Sequence, residues 1–153
     1  MQIPGFGELN ISDIVCDYNG TIAKDGILLP EAAEAIKALT ESYRVHIVTA
    51  DTFGSVAAQV EGLDVSLKVL TSSDHTAEKR KYVEEIGPHR CAAIGNGNND
   101  LQMLRTAAIS IAVMAEEGCS VKSLMGVDIV CRSGAEALAL FALPKRLIAT
   151  LRK

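Results

Sequence analysis

Apolar residues gather in short β-branched runs separated by longer stretches with helical spacing, and the two patterns alternate along the chain. Ile11–Cys16, Val45–Thr49, Val65–Leu70, Cys91–Ile94, Ala108–Met114 and Asp128–Cys131 read as strands. Helices are predicted over Glu31–Leu39, entered through Pro30, near Phe53–Val60, and over Ala77–Ile86 with a stop at Gly87-Pro88. Further helices follow near Asp100–Ala107, over Cys119–Met125, and through Ala135–Lys153 with an interruption at Pro144. The strands are apolar throughout instead of at alternate positions, the pattern of a parallel sheet covered on both faces. The predicted fold is an α/β, Rossmann-like doubly wound parallel sheet. No linker, repeat or low-complexity tract divides it, so residues 1–153 are read as one domain.

Composition narrows the partners. Hydrophobic residues make up 48% of the chain, enough for a core, and with aromatics at 4% that core must be aliphatic. Fifteen basic residues against nineteen acidic ones give a net charge of −4, which argues against a nucleic-acid partner. Cys16, Cys91, Cys119 and Cys131 lack the CxxC spacing of zinc or thioredoxin-type sites, and three of them lie in apolar runs where a thiol acts as a small hydrophobe. The start has no basic n-region, and no apolar run is long enough for a membrane helix. The expectation is a reduced, cytoplasmic protein with no membrane partner.

Parallel sheets bind ligands beyond the carboxyl ends of their strands, so the polar residues that end each strand carry the chemistry. The first strand runs into Asp17-Tyr18-Asn19-Gly20-Thr21, the second into Thr49-Ala50-Asp51, the fourth into Gly95-Asn96-Gly97-Asn98-Asn99-Asp100. Taken singly, the first also fits a turn with a helix-capping Asp or Thr, and Thr49 also fits an N-cap. A dinucleotide-binding GxGxxG fails because Asp100 stands where its third glycine would be. A receiver domain fails because Val15-Cys16-Asp17 lacks an acidic pair.

The order D-x-x-G-T, T-x-D, a lysine and G-x-G-x-N-D, from about Ile14 to Asp100, resembles the haloacid dehalogenase superfamily. Within it, the chain looks most like the phosphorylation domain of P-type ATPases. That resemblance implies phosphoryl transfer through an aspartyl-phosphate on Asp17, with Lys79 in preference to Lys81 holding the nucleophile ionised. It implies that Gly20 and Thr21 turn backbone N–H groups toward the phosphoryl oxygens, and that Thr49, Ala50 and Asn99 contact substrate. Magnesium is the implied cofactor, with Asp17, the Asn19 carbonyl, Asn96 and Asp100 as its ligands and Asp51 nearby on the same rim.

Two positions depart from the superfamily pattern. Asn19 replaces the aspartate that most phosphatases of the group use as general acid and base, a loss worth roughly 10²–10⁴ in rate. Asn96 replaces the first aspartate of G-D-G-x-N-D, which lowers the expected magnesium affinity. Asp17, Thr49, Lys79 and Asp100 speak for a slow phosphatase; Asn19 and Asn96 speak for a catalytically weak phosphate-binding or regulatory protein. Neither the interval Asp17–Thr49 nor Asp51–Lys79 has room for a cap domain. An open rim implies a phosphoprotein or other large phosphorylated substrate, or a homo-oligomer whose neighbouring subunit covers a small one. The basic cluster Lys79-Arg80-Lys81 is otherwise read as a solvated face, and His46 as a hydrogen-bonded core histidine.

Overall fold

The computed structural model describes residues 1–51 and 54–153. Six strands form its central sheet: β1 (Asp13–Asp17), β2 (Arg44–Thr49), β3 (Val65–Val69), β4 (Cys91–Gly95), β5 (Ile109–Val113) and β6 (Ile129–Cys131). Their order is β6-β5-β4-β1-β2-β3, and every neighbouring pair is parallel. The chain builds outward from β1 to β3, then returns to lay β4 against the other edge of β1. That reversal puts the switch point between β1 and β4, where an open α/β sheet forms its ligand crevice.

Helices cover both faces: α1 (Pro30–Leu39), α2 (Val56–Gln59), α3 (His75–Ile86), α4 (Leu101–Thr106), α5 (Val121–Leu124), α6 (Gly134–Ala142) and α7 (Pro144–Leu151). Alternation along β1 divides the core. Ile14 and Cys16 pack with Ile36 of α1 and Leu138 of α6, whereas Val15 packs with Val83 of α3 and Leu104 of α4. Odd-numbered residues of β1 therefore face α3, and the Cys16 thiol lies on the side opposite Asp17. β1, β4 and β5 are buried at every position, as uninterrupted apolar runs require; the edge strands β3 and β6 are partly exposed.

Most departures from the sequence expectation are at element ends. The first strand begins at Asp13 and extends through Asp17 itself. Helix α3 starts at His75 because the Asp74 side chain accepts the Ala77 N–H at 3.0 Å and caps it there. The helix expected over Phe53–Val60 is four residues, Val56–Gln59, and Phe53 lies outside the described residues. Between β1 and α1 the chain forms an antiparallel hairpin, Ala23–Lys24 with Ile27–Leu28. Its two-residue loop, Asp25-Gly26, has φ of 51° and 79°, the left-handed pair that Asp-Gly supplies readily. A second small hairpin, Gln2–Ile3 with Gly7–Glu8, was not evident in the sequence; it is tied to the chain end by Lys153 N–H donating to Pro4 O at 3.0 Å. Among the described residues no helix is long and apolar enough to cross a membrane.

Candidate active site

Register sets out the site row by row. Asp17 lies opposite Val48 of β2, and Cys16 opposite Ile94 of β4, so the next row brings Thr49 and Asn96 to either side of Tyr18. Asp17 is 8% exposed, Lys79 1% and Asp100 0%. Lys79 reaches across from α3 to join the two acids: its Nζ donates to Asp17 Oδ1 at 2.6 Å and to Asp100 Oδ1 at 2.7 Å. A buried ammonium survives only with such partners. Burial by itself would lower the Lys79 pKa, but the charges and hydrogen bonds of Asp17 and Asp100 outweigh it and push the ammonium up. Burial, reinforced by the charge of Asp100 and opposed by Lys79 and Thr21, pushes the Asp17 carboxyl up to about 6. Lys81 is on the solvated face of α3, beside Glu85.

Asp100 lies wholly buried beside Lys79. Its Oδ1 accepts from Lys79, and its Oδ2 accepts the N–H groups of Asn96 at 3.0 Å and Gly97 at 2.8 Å. With both oxygens engaged and no exposure, it anchors Lys79 and the Asn96-Gly97 turn. Asp51 is likewise committed: its carboxylate accepts the N–H groups of Ser55 and Val56 at the start of α2.

The turn after Asp17 is also organised differently. The Gly20 N–H donates to Ala23 O at 2.8 Å and the Thr21 N–H to Tyr18 O at 3.2 Å, so these amides close the turn and do not form a phosphate cradle. What Thr21 supplies is its hydroxyl, 3.1 Å from Asp17 Oδ2 and 3.2 Å from Asn96 Oδ1. Gly20 has φ of 78°, and a Cβ there would come within 2.3 Å of Asn96 Nδ2; only glycine lets Asn96 lie over the turn. Thr49 Oγ1 accepts the Asp51 N–H at 3.1 Å, which leaves the hydroxyl proton to donate elsewhere. Asn19 is exposed, and with Ala50 it lines a cavity of about 360 Å³. Asn99 is exposed and, among the described residues, makes no hydrogen bond to the Asp17–Lys79–Asp100 cluster.

Several supporting residues carry no motif in the sequence. Asn96 Nδ2 donates to Gly118 O at 3.1 Å, Ser120 N–H donates to Asn96 O at 2.8 Å, and Ser123 Oγ donates to Gly97 O at 2.7 Å. At Gly134 a Cβ would fall 2.2 Å from Thr21 O, so the start of α6 abuts the turn that positions the Thr21 hydroxyl. A cavity of about 200 Å³ lies beside Thr21, and the hairpin over it is tied down by a Lys24–Glu116 ion pair.

The oxygens left facing one another are Asp17 Oδ2, Thr21 Oγ1 and Asn96 Oδ1. Three hard oxygens that share a single hydroxyl proton are a donor set suited to magnesium, which takes one or two carboxylates and completes its shell with water and phosphate. Among the described residues, no three His, Cys, Asp or Glu side chains converge as a metal cluster. Asp17 and Asn96, with the Asn19 carbonyl at the rim, are the residues that would hold the ion.

The sequence pattern of the haloacid dehalogenase-like hydrolases matches residues 75–123, the segment that carries Lys79 and Asn96–Asp100. The uncharacterized protein MJ0073 of Methanocaldococcus jannaschii is 40% identical over 78 residues, which span 48% of this chain and 84% of that protein. The fold is shared with 3-deoxy-D-manno-octulosonate 8-phosphate phosphatase from Moraxella catarrhalis, solved with magnesium, phosphate and KDO (TM-score 0.73, 18% identity, 94% of each chain). It is shared equally with the Yersinia pestis phosphatase of that name (TM-score 0.74, 19% identity, 92% of this chain and 85% of the other). The narrower likeness to P-type ATPases rests on motif order alone.

Proposed function

The chain belongs to the haloacid dehalogenase-like hydrolases, and from that premise we propose that it is a phosphatase working through an aspartyl-phosphate on Asp17. The observation that carries this reading is the shared ammonium: Lys79 bridges Asp17 and Asp100 at the carboxyl ends of β1 and β4. A carboxylate nucleophile divides ester hydrolysis into two easier steps, formation and breakdown of an acyl phosphate. Lys79 engages Asp17 Oδ1 and puts a fixed positive charge beside the attacking carboxylate and the developing phosphoryl charge. Thr49 donates its hydroxyl to the same group from the adjacent strand end. A divalent ion, magnesium in this reading, would neutralise charge between carboxylate and phosphate when bound.

Asn19 makes the second step slow. It stands on the open side of Asp17 but exchanges no proton, so water attacking the acyl phosphate has no side-chain base at that position. The rim is uncapped, and the cavities that flank the hairpin, about 200 and 360 Å³, suit a small phosphorylated molecule. The solved phosphatases with this fold support the same substrate class.

The test is a panel of phosphomonoesters assayed with magnesium against wild type, Asp17→Asn and Asn19→Asp. Turnover that disappears in Asp17→Asn and rises at least about tenfold in Asn19→Asp is the expected result. No turnover in any of the three, with no beryllofluoride adduct on Asp17, overturns it in favour of a phosphate-binding or regulatory role.

A further inference from the structure

Asn96 is held in one orientation. Its Nδ2 donates to Gly118 O, which turns Oδ1 toward Thr21 Oγ1, the hydroxyl that also lies 3.1 Å from Asp17 Oδ2. The site therefore gains an oxygen from Asn96 and no charge. Asp17, Asp100 and Lys79 together amount to −1, and Lys79 lies against the same carboxylate that a cation would use. A dication alone brings the cluster to +1 and a phosphate dianion alone to −3; the two together restore −1. A site of net −1 attracts the dication only weakly and repels the dianion, so each binds better when the other is present.

We propose that this chain holds no resident divalent cation: cation and phosphoryl group bind as a mutually dependent pair, and the neutral oxygen of Asn96 imposes that dependence. This rests on the phosphatase reading above and specifies how its site is loaded. Binding linkage is reciprocal, so the factor by which phosphate tightens the cation equals the factor by which the cation tightens phosphate. An aspartate at position 96 would set the cation's affinity apart from the phosphate, because the added charge attracts the ion directly. It would also face the Gly118 carbonyl without a hydrogen, a repulsion that a cation relieves.

The full chain is titrated with manganese alone, followed by electron paramagnetic resonance and calorimetry, with and without saturating inorganic phosphate. Phosphate tightens manganese by at least about tenfold, manganese tightens phosphate by the same factor, and Asn96→Asp binds manganese alone at least about tenfold more tightly than wild type. Circular dichroism checks that the variant folds. If it does not, Asn96→Ala decides: it weakens manganese several-fold in the presence of phosphate, and unchanged affinity overturns the proposal. Wild type that binds manganese equally well with and without phosphate, while phosphate still binds, overturns this inference and leaves the phosphatase reading intact. No binding of phosphate under any condition overturns both.

Discussion

Lys79 Nζ lies 2.6 Å from Asp17 Oδ1 and 2.7 Å from Asp100 Oδ1, so one ammonium is divided between the proposed nucleophile and an acid on the neighbouring strand's loop. Lys79→Met leaves two buried carboxylates facing each other. It should lower stability by about 3–5 kcal/mol at pH 8, above the Asp17 pKa of about 6. The loss should shrink at pH 5 as Asp17 takes up a proton. Chemical denaturation at the two pH values measures it, and an equal loss at both would show that charge is not the cause.

The raised Asp17 carboxyl fixes the acid limb of the rate profile. A group protonated below about 6 is no nucleophile there, so kcat/KM should fall about tenfold per pH unit on the acid side of about 6 and level off above it. A rate unchanged down to pH 5 contradicts this. Folding of the variants and of wild type must be confirmed across the same range.

At the other end of β1, Asp13 is 1% exposed and receives Arg44 through two hydrogen bonds of 2.8 and 2.9 Å, Ser12 at 2.6 Å and His46 Nε2 at 3.0 Å. Burial disfavours its ionisation, but the hydrogen bonds of Arg44, Ser12 and His46 and the charge of Arg44 prevail, holding the carboxyl well below the usual range. Such a group stabilises the fold above the ordinary carboxylate pKa, and that contribution is lost as pH falls toward the depressed value. Asp13→Asn should cost about 2–4 kcal/mol at pH 7 and less at pH 3, read from thermal melts.

Gly134→Ala tests the contact between α6 and the Thr21 turn. The added methyl meets the Thr21 carbonyl at 2.2 Å, backbone against side chain, so the turn must shift. A loss of about 1–3 kcal/mol is expected, together with a fall in kcat larger than any change in KM. Stability lost with kcat unchanged would place the contact outside the working geometry.

The sheet was legible because its central strands are apolar at both faces; the inclusion of Asp17 in β1 was not, because a polar residue reads as the end of an apolar run. Lys79 was legible because its spacing from the Asn96–Asp100 turn separates it from Lys81 on the same helix. The hydrogen bonds of Asp100 to the Asn96 and Gly97 amides were not, because sequence gives no account of which backbone amides a carboxylate will satisfy. Gly118, Ser123 and Gly134 were silent for a different reason: they act through a carbonyl, a hydroxyl on a loop backbone and the lack of a side chain. The Asp25-Gly26 hairpin did carry a signal in its dipeptide.

Asp13 and Asp17 share the face of β1 that looks onto α3, one at each end of the strand. Lys79 fastens that helix to Asp17, while Tyr82 Oη, 2.9 Å from His46 Nδ1, fastens it through His46 to Asp13. Two fastenings on one helix work as a ruler laid along the sheet: α3 cannot slide or roll without opening one of them. The position of the ammonium beside Asp17, the proposed nucleophile, is thus gauged from the far end of the strand, by residues outside the candidate site.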